Sequence, residues 1–211
     1  MCLRAILPAC LLASLPVAAS EPGPAALVES LKRELPARTP YTEVRFAQMF
    51  DRPLVARGEL EYLGPGKLGK RVDAPYRETT TIADGQVKVQ RGERKPREIE
   101  LGQIPELEGF LRGFSALLGG DAATLAHDFN LDIAERGERW RLSLAPKDAR
   151  LKRRIAAIVV DGSGNAARCF TIRDADGDSS VMLVESLAAI ELPKPLTPHN
   201  LDLTCRGALK Q

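Results

Sequence analysis

The chain has 211 residues and carries 30 lysines and arginines against 28 aspartates and glutamates. A net charge of +2 gives no general attraction to nucleic acid and no strong attraction to anionic headgroups. Hydrophobic residues make up 44% of the chain, ample for a full core, while aromatics make up only 5%.

The chain opens with Arg4, an apolar run from Ala5 to Val17 broken by Pro8 and Pro16, and the small residues Ala18-Ala19-Ser20. This order predicts a secretory signal over residues 1–20, cleaved after Ala19 or Ser20. The run is too short and too interrupted for a transmembrane helix. Leu7-Pro8-Ala9-Cys10 departs from a lipobox at Pro8, so soluble export to the periplasm is expected rather than lipidation at Cys10. Removing Arg4 leaves 29 basic and 28 acidic residues in a single domain over 21–211. Cys2 and Cys10 leave with the signal. The remaining pair, Cys169 and Cys205, predicts one disulfide in an oxidising compartment, the alternative being two separate buried thiols. The bridge would close a loop of about 35 residues and contribute a few kcal/mol.

Leu27, Val28, Leu31 and Leu35 predict a helix over Ala25 to Leu35, ended by Pro36 and Pro40. A ladder of short strands follows. Val44, Phe46, Gln48 and Phe50 share one face of the first. In the second, Leu54, Ala56, Gly58, Leu60 and Tyr62 alternate with Val55, Arg57, Glu59 and Glu61. Gly64-Pro65-Gly66 turns into a third strand over Leu68 to Val72. Pro75 precedes a fourth over Tyr76 to Ile82. Asp84-Gly85 is a hairpin turn into Val87 and Val89, and Glu98 to Leu101 makes a further strand.

The period changes at Ile104. Leu107, Phe110, Leu111, Phe114, Leu117 and Leu118 form an apolar helical stripe that starts at Pro105 and stops at Gly119-Gly120. Asp121 caps a short helix through Ala126. Strands then resume around Phe129 to Ile133, Trp140 to Leu144, Ile155 to Val160, Phe170 to Ile172 and Val181 to Val184. Asp161-Gly162-Ser163-Gly164 and Asp174 to Asp178 are read as turns, and the tail from Leu192 as Pro-rich and extended. About ten or eleven strands with two or three helices predict a mainly β fold with some α, a single antiparallel domain, curled or barrel-like.

Residues suited to catalysis are sparse. His127 and His199 have no ligand partner at metal-binding spacing, so no metal or cofactor is expected. Ser163 lacks the Gly-x-Ser-x-Gly context of a nucleophile elbow. Asp174, Asp176, Asp178 and Glu185 have the rhythm of a calcium loop, but Ser179 stands where its glycine belongs. Lys147, Arg150, Lys152, Arg153 and Arg154 read as a solvated loop between strands, the alternative being a dock for an acidic partner or a lipid phosphate. No polar cluster can be assembled inside the fold, so no enzymatic activity is expected.

The order Phe46-Ala47-Gln48, Gly58-Glu59-Leu60-Glu61-Tyr62, Gly64-Pro65, Ala74-Pro75, Ala83-Asp84-Gly85 and Asp178-Ser179-Ser180 resembles the LolA family of periplasmic lipoprotein carriers. The resemblance implies an unclosed antiparallel barrel with lid helices over an apolar cavity for acyl chains. It also implies an inner-membrane donor complex and an outer-membrane acceptor as partners, with the carrier a monomer. Two departures mark a divergent member. Gly64 stands in place of the family arginine that latches the lid, and Lys70 where a tryptophan is common.

The cavity wall is therefore expected at Val44, Phe46, Leu60, Tyr62, Leu68, Ile82, Val87 and Val89, with Trp140 and Phe170. Leu107, Phe110, Leu111 and Phe114 are expected in the lid. With so few aromatics, an aliphatic cavity is expected. Three readings compete with a carrier: an envelope interaction module with a filled core, a membrane-anchored acceptor, and an enzyme on the same fold.

Overall fold

The computed structural model describes residues 23–207. The predicted signal at 1–20, with Cys2 and Cys10, lies outside the described residues.

Eleven strands form one sheet: β1 (Ala37–Phe46), β2 (Leu54–Gly64), β3 (Lys67–Ala74), β4 (Glu78–Ala83), β5 (Gln86–Arg91), β6 (Arg97–Glu100), β7 (Phe129–Arg136), β8 (Arg139–Pro146), β9 (Ile155–Ser163), β10 (Ala166–Asp174) and β11 (Ser179–Val184). Their order is β6-β5-β4-β3-β2-β1-β11-β10-β9-β8-β7, and every pairing is antiparallel. The sheet does not close, because β6 and β7 are its two edges. In sequence, the only chain between those edges contains the helices α2 (Pro105–Gly119) and α3 (Ala122–Asp128). The chain therefore runs off one edge and re-enters at the other through its helices. This is how a helical cover is tied to an open barrel.

Local chemistry sets these elements. Pro105 occupies the first turn of α2, and Gly120 ends it in the left-handed region (φ 69°). Asp121 accepts from the Thr124 N–H at the start of α3. A side chain at Gly113 would sit 2.2 Å from the Phe129 ring, so glycine lets α2 seat on the start of β7. Asp84 (φ 52°) and Gly85 (φ 78°) both take positive φ, as the tight β4–β5 hairpin demands.

The first helix, α1 (Pro24–Ser30), is shorter than expected and stops well before Leu35, which is exposed. The Arg33 N–H donates to the Leu118 carbonyl at the end of α2. The residue before Pro36 is also disfavoured in the helical region. β1 in turn begins earlier than expected and contains Pro40. Pairing with β11 starts only at Tyr41–Val184, so Pro40 has no neighbour on that side and its missing N–H costs no ladder bond. Gln48 and Phe50, expected on the first strand, lie beyond its end.

Two further expectations are corrected. The tail is not extended throughout: it forms α5 (Pro198–Arg206), capped by Thr197 and stopped by Gly207 at φ 66°. Asp161 and Gly162 are not turn residues either, because β9 runs on to Ser163. The basic segment contains a single helical turn, α4 (Ala149–Lys152), capped by Asp148.

Apolar clusters pack on both faces of the sheet around β1 and β8–β11, while β4–β6 stay largely exposed. Its concave face packs on α1, α2 and α3 through Val28, Leu117, Leu125, Phe129, Leu142 and Val160. A second cluster, with Val44, Val181, Leu183, Leu187, Leu201 and Cys205, lies on the opposite face under α5. Two further contacts hold that helix. Cys169 and Cys205 form the expected disulfide, with Cα atoms 5.7 Å apart. Arg141 also donates to both oxygens of buried Asp161 (2.7 and 2.8 Å) and to Asp202 on α5 (2.6 Å). Burial alone would lower the Arg141 pKa, but the two carboxylates more than reverse it and hold the group charged.

Candidate functional site

Between the concave face and α2 lies a cavity of about 240 Å³. Leu60, Tyr62, Leu68 and Ile82 wall it from β2, β3 and β4. Ile158, Ala167, Phe170, Ile172, Met182 and Val184 wall it from the other arm of the sheet. Phe110, Leu111, Phe114, Leu117 and Leu118 close it from the helix. The volume falls just short of the roughly 300–1,000 Å³ of small-molecule sites. A longer guest needs the cover to move.

Of the residues expected to form the site, Leu60, Tyr62, Leu68, Ile82, Phe110, Leu111, Phe114 and Phe170 line this cavity. Val44 and Phe46 do not. Directly paired residues share a face, and Val44 pairs with Val55 and Val181, whereas the cavity residues Leu60 and Tyr62 pair with Thr39 and Ala37. Five positions separate Val44 from Thr39, so Val44 points the other way and packs under α5, with Phe46 beside it. Val87 and Val89 pair with Ile82 and Thr80, on the cavity face, but stand outside the lining. Leu107 is half-buried on α2 and also outside it. Trp140 is buried in the concave core, where it covers Gly162 and donates to the Gly164 carbonyl at 2.7 Å.

Most of the apolar lining is aliphatic, with an aromatic group set into it. Phe110 stacks on Phe114 with centroids 6.1 Å apart, and Phe114 meets Phe170 edge-on at 5.4 Å. Tyr62 is the fourth aromatic residue of the lining.

The cavity is not purely apolar. Glu43, Lys70 and Ser180 line it and bond to one another. The Lys70 ammonium donates to Glu43 at 2.5 Å, and the Ser180 hydroxyl donates to the other Glu43 oxygen at 2.7 Å. Lys70 also stands 5.3 Å from the centre of the Tyr41 ring. Burial pushes the Glu43 carboxyl up. Lys70 and the two hydrogen bonds outweigh it, and the net shift is downward. Glu43 is thereby held ionised and is a weak base toward Ser180. Sequence reasoning missed this cluster, which is drawn from β1, β3 and β11. The one signal was Lys70 itself, a charge at a position where the resemblance led one to expect an aromatic.

The cover is pinned to the sheet without the family arginine. Gly64, at φ 135°, carries no side chain, but the neighbouring Gly66 N–H donates to the buried Ser115 hydroxyl on α2 at 3.0 Å. On the outer side of α2, Arg112 pairs with Asp128 at 2.7 Å, and His127 bonds the same carboxylate at 2.8 Å. Lys147 donates to the Ala126 carbonyl. Together they line a polar surface depression with Glu108, Asp148 and Arg150. The aspartates of the β10–β11 turn are engaged locally: Asp176 and Asp178 accept from the N–H groups of Asp178 and Gln48. Among the described residues, no group of three potential ligands is arranged to hold a metal ion. No described helix is long and apolar enough to cross a membrane.

No curated protein matches the sequence. A LolA superfamily protein from Nitrosomonas europaea is similar in structure, with 10% identity and a TM-score of 0.44 over 82% of this chain and 95% of that one. A DUF1329 family protein from Desulfovibrio piger is similar at 8% identity and a TM-score of 0.39, over 84% of this chain and 95% of that one. The family described as outer membrane lipoprotein carrier protein LolA-like matches residues 19–208, and the chain belongs to that family.

Proposed function

We propose that the protein is a periplasmic carrier, over residues 21–211, that shields an acyl chain of a lipoprotein or other lipid in transit to the outer membrane. The observation that supports this is the apolar cavity under α2, walled by Leu60, Leu68, Ile82, Phe110, Phe114 and Phe170. Each methylene moved from water into it contributes about 0.8 kcal/mol, so a dozen contribute about 10 kcal/mol. That is enough to offset the partial lifting of a helix whose cavity-side contacts are largely with the same apolar residues. Loading from a membrane donor and release to an outer-membrane acceptor complete the reading. Transfer by such a device is binding and lid movement, with no covalent step.

The test compares the two faces of the sheet. Purified protein, stripped of lipid, is titrated with a fluorescent long-chain acyl probe. Phe114→Ala, in the cavity, is expected to weaken binding about tenfold, while Phe46→Ala, under α5, leaves it unchanged. No binding, or equal effects of the two substitutions, would sink the carrier reading.

A further inference from the structure

The Glu43 side chain is only 18% exposed and Lys70 35%, and such a partly buried ion pair offers little net stability over apolar residues of the same size. Its place in the lining therefore points to a ligand. Among the described residues, the Lys70 ammonium donates only to Glu43, with the Tyr41 ring to one side. It has three N–H donors, so two remain for acceptors inside the cavity. Glu43 cancels the charge of Lys70, and Ser180 occupies the second Glu43 oxygen. The other charged groups of the lining are also paired, Arg33 with Glu185 and Glu61 with Arg38. The cavity thus presents hydrogen-bond donors without net positive charge.

Resting on the carrier reading, we infer that Lys70 receives the carbonyl oxygen that links an acyl chain to its head group, and that Glu43 makes the cavity select acyl esters and amides over free fatty acids. A neutral carbonyl accepts from Lys70 without disturbing the pair. A carboxylate at the same place stands within a few ångströms of the Glu43 carboxylate, and like charges at that separation repel. The apolar chain then extends toward Phe114 and Phe170.

The experiment displaces a fluorescent acyl probe from the lipid-free protein with monopalmitoyl glycerol or with palmitate. The wild type is expected to favour the ester about tenfold. Glu43→Gln keeps the shape and an acceptor for Ser180 but leaves Lys70 unneutralised. It is expected to reverse the preference in favour of palmitate. Lys70→Met leaves the Glu43 carboxylate to repel palmitate and is expected to keep the preference for the ester while binding it more weakly. Glu43→Gln/Lys70→Met carries neither charge and is expected to lose the discrimination without reversing it, which separates charge from any damage done by one substitution. Equal displacement by both ligands in the wild type, or an unchanged preference in Glu43→Gln, overturns the inference and leaves the carrier reading intact. Failure of the probe to bind the wild type overturns both.

Discussion

Glu43 connects the chemistry of the cavity to the stability of the fold. Burial raises its carboxyl pKa. The Lys70 charge and the hydrogen bonds from Lys70 and Ser180 lower it further, so that it lies below its ordinary 4.5. Between the folded and unfolded pKa values the unfolded chain binds more protons. The contribution of Glu43 is therefore complete above the unfolded pKa and is lost as pH falls through the folded one. Urea midpoints measured in steps downward from about pH 5 should fall less steeply for Glu43→Gln than for the wild type. Equal slopes would mean that the pair does not couple to folding. Other single residues act through what they leave out. A side chain at Gly58 would meet the Arg71 carbonyl at 1.8 Å, so glycine there lets β3 close on β2 at its bulge and places Lys70 within reach of Glu43.

Among the elements, α2 decides what the cavity can do. It is bonded to the β2–β3 turn through Ser115 and Gly66, and to the end of α1 through Leu118 and Arg33. Ser115→Ala removes the first contact and leaves the Gly66 N–H without its acceptor, at a cost of about 1 kcal/mol. Acyl-probe uptake measured by stopped flow should be faster in this variant. Unchanged uptake with the expected loss of stability would show that the turn does not restrain the cover. The elements themselves were largely legible from two-residue alternation, Asp-Gly and Gly-Pro turns, and the Leu107 to Leu118 stripe. The face of β1 was not. Tyr41 points into the concave core and Val44 under α5, and both are buried. A strand covered on both sides shows no polar face, so alternation cannot say which residues look inward. The register that decides it is set by pairing with β2 and β11, distant in sequence. The helix α5 was hidden by its prolines, although Thr197-Pro198 at its start and Gly207 at its end are a cap, a first-turn proline and a left-handed stop. Asp161 looked like a turn residue beside Gly162. Its partner Arg141, across the strand pair, shows why the chain stays extended there.

At the scale of the whole molecule, topology ties the cover to the barrel. The sheet stays open between β6 and β7, and the chain that links them is the chain that covers the cavity. Movement of α2 is thus coupled to both edges. α5 stands on the opposite face, fixed by the Cys169–Cys205 bridge and the Arg141 ion pairs. Composition and turn signals carried this plan because it depends on the order of elements. The polar cluster inside depends on three strands meeting, which no local pattern reports. The central claim is that the cavity carries an acylated molecule. Native mass spectrometry of the protein purified gently from its own periplasm, before and after organic extraction, tests it most directly. The account predicts a discrete added mass that extraction removes and that fragments to an acyl ester or amide. A bare chain in every preparation, with no uptake of added acyl ligand, would contradict it.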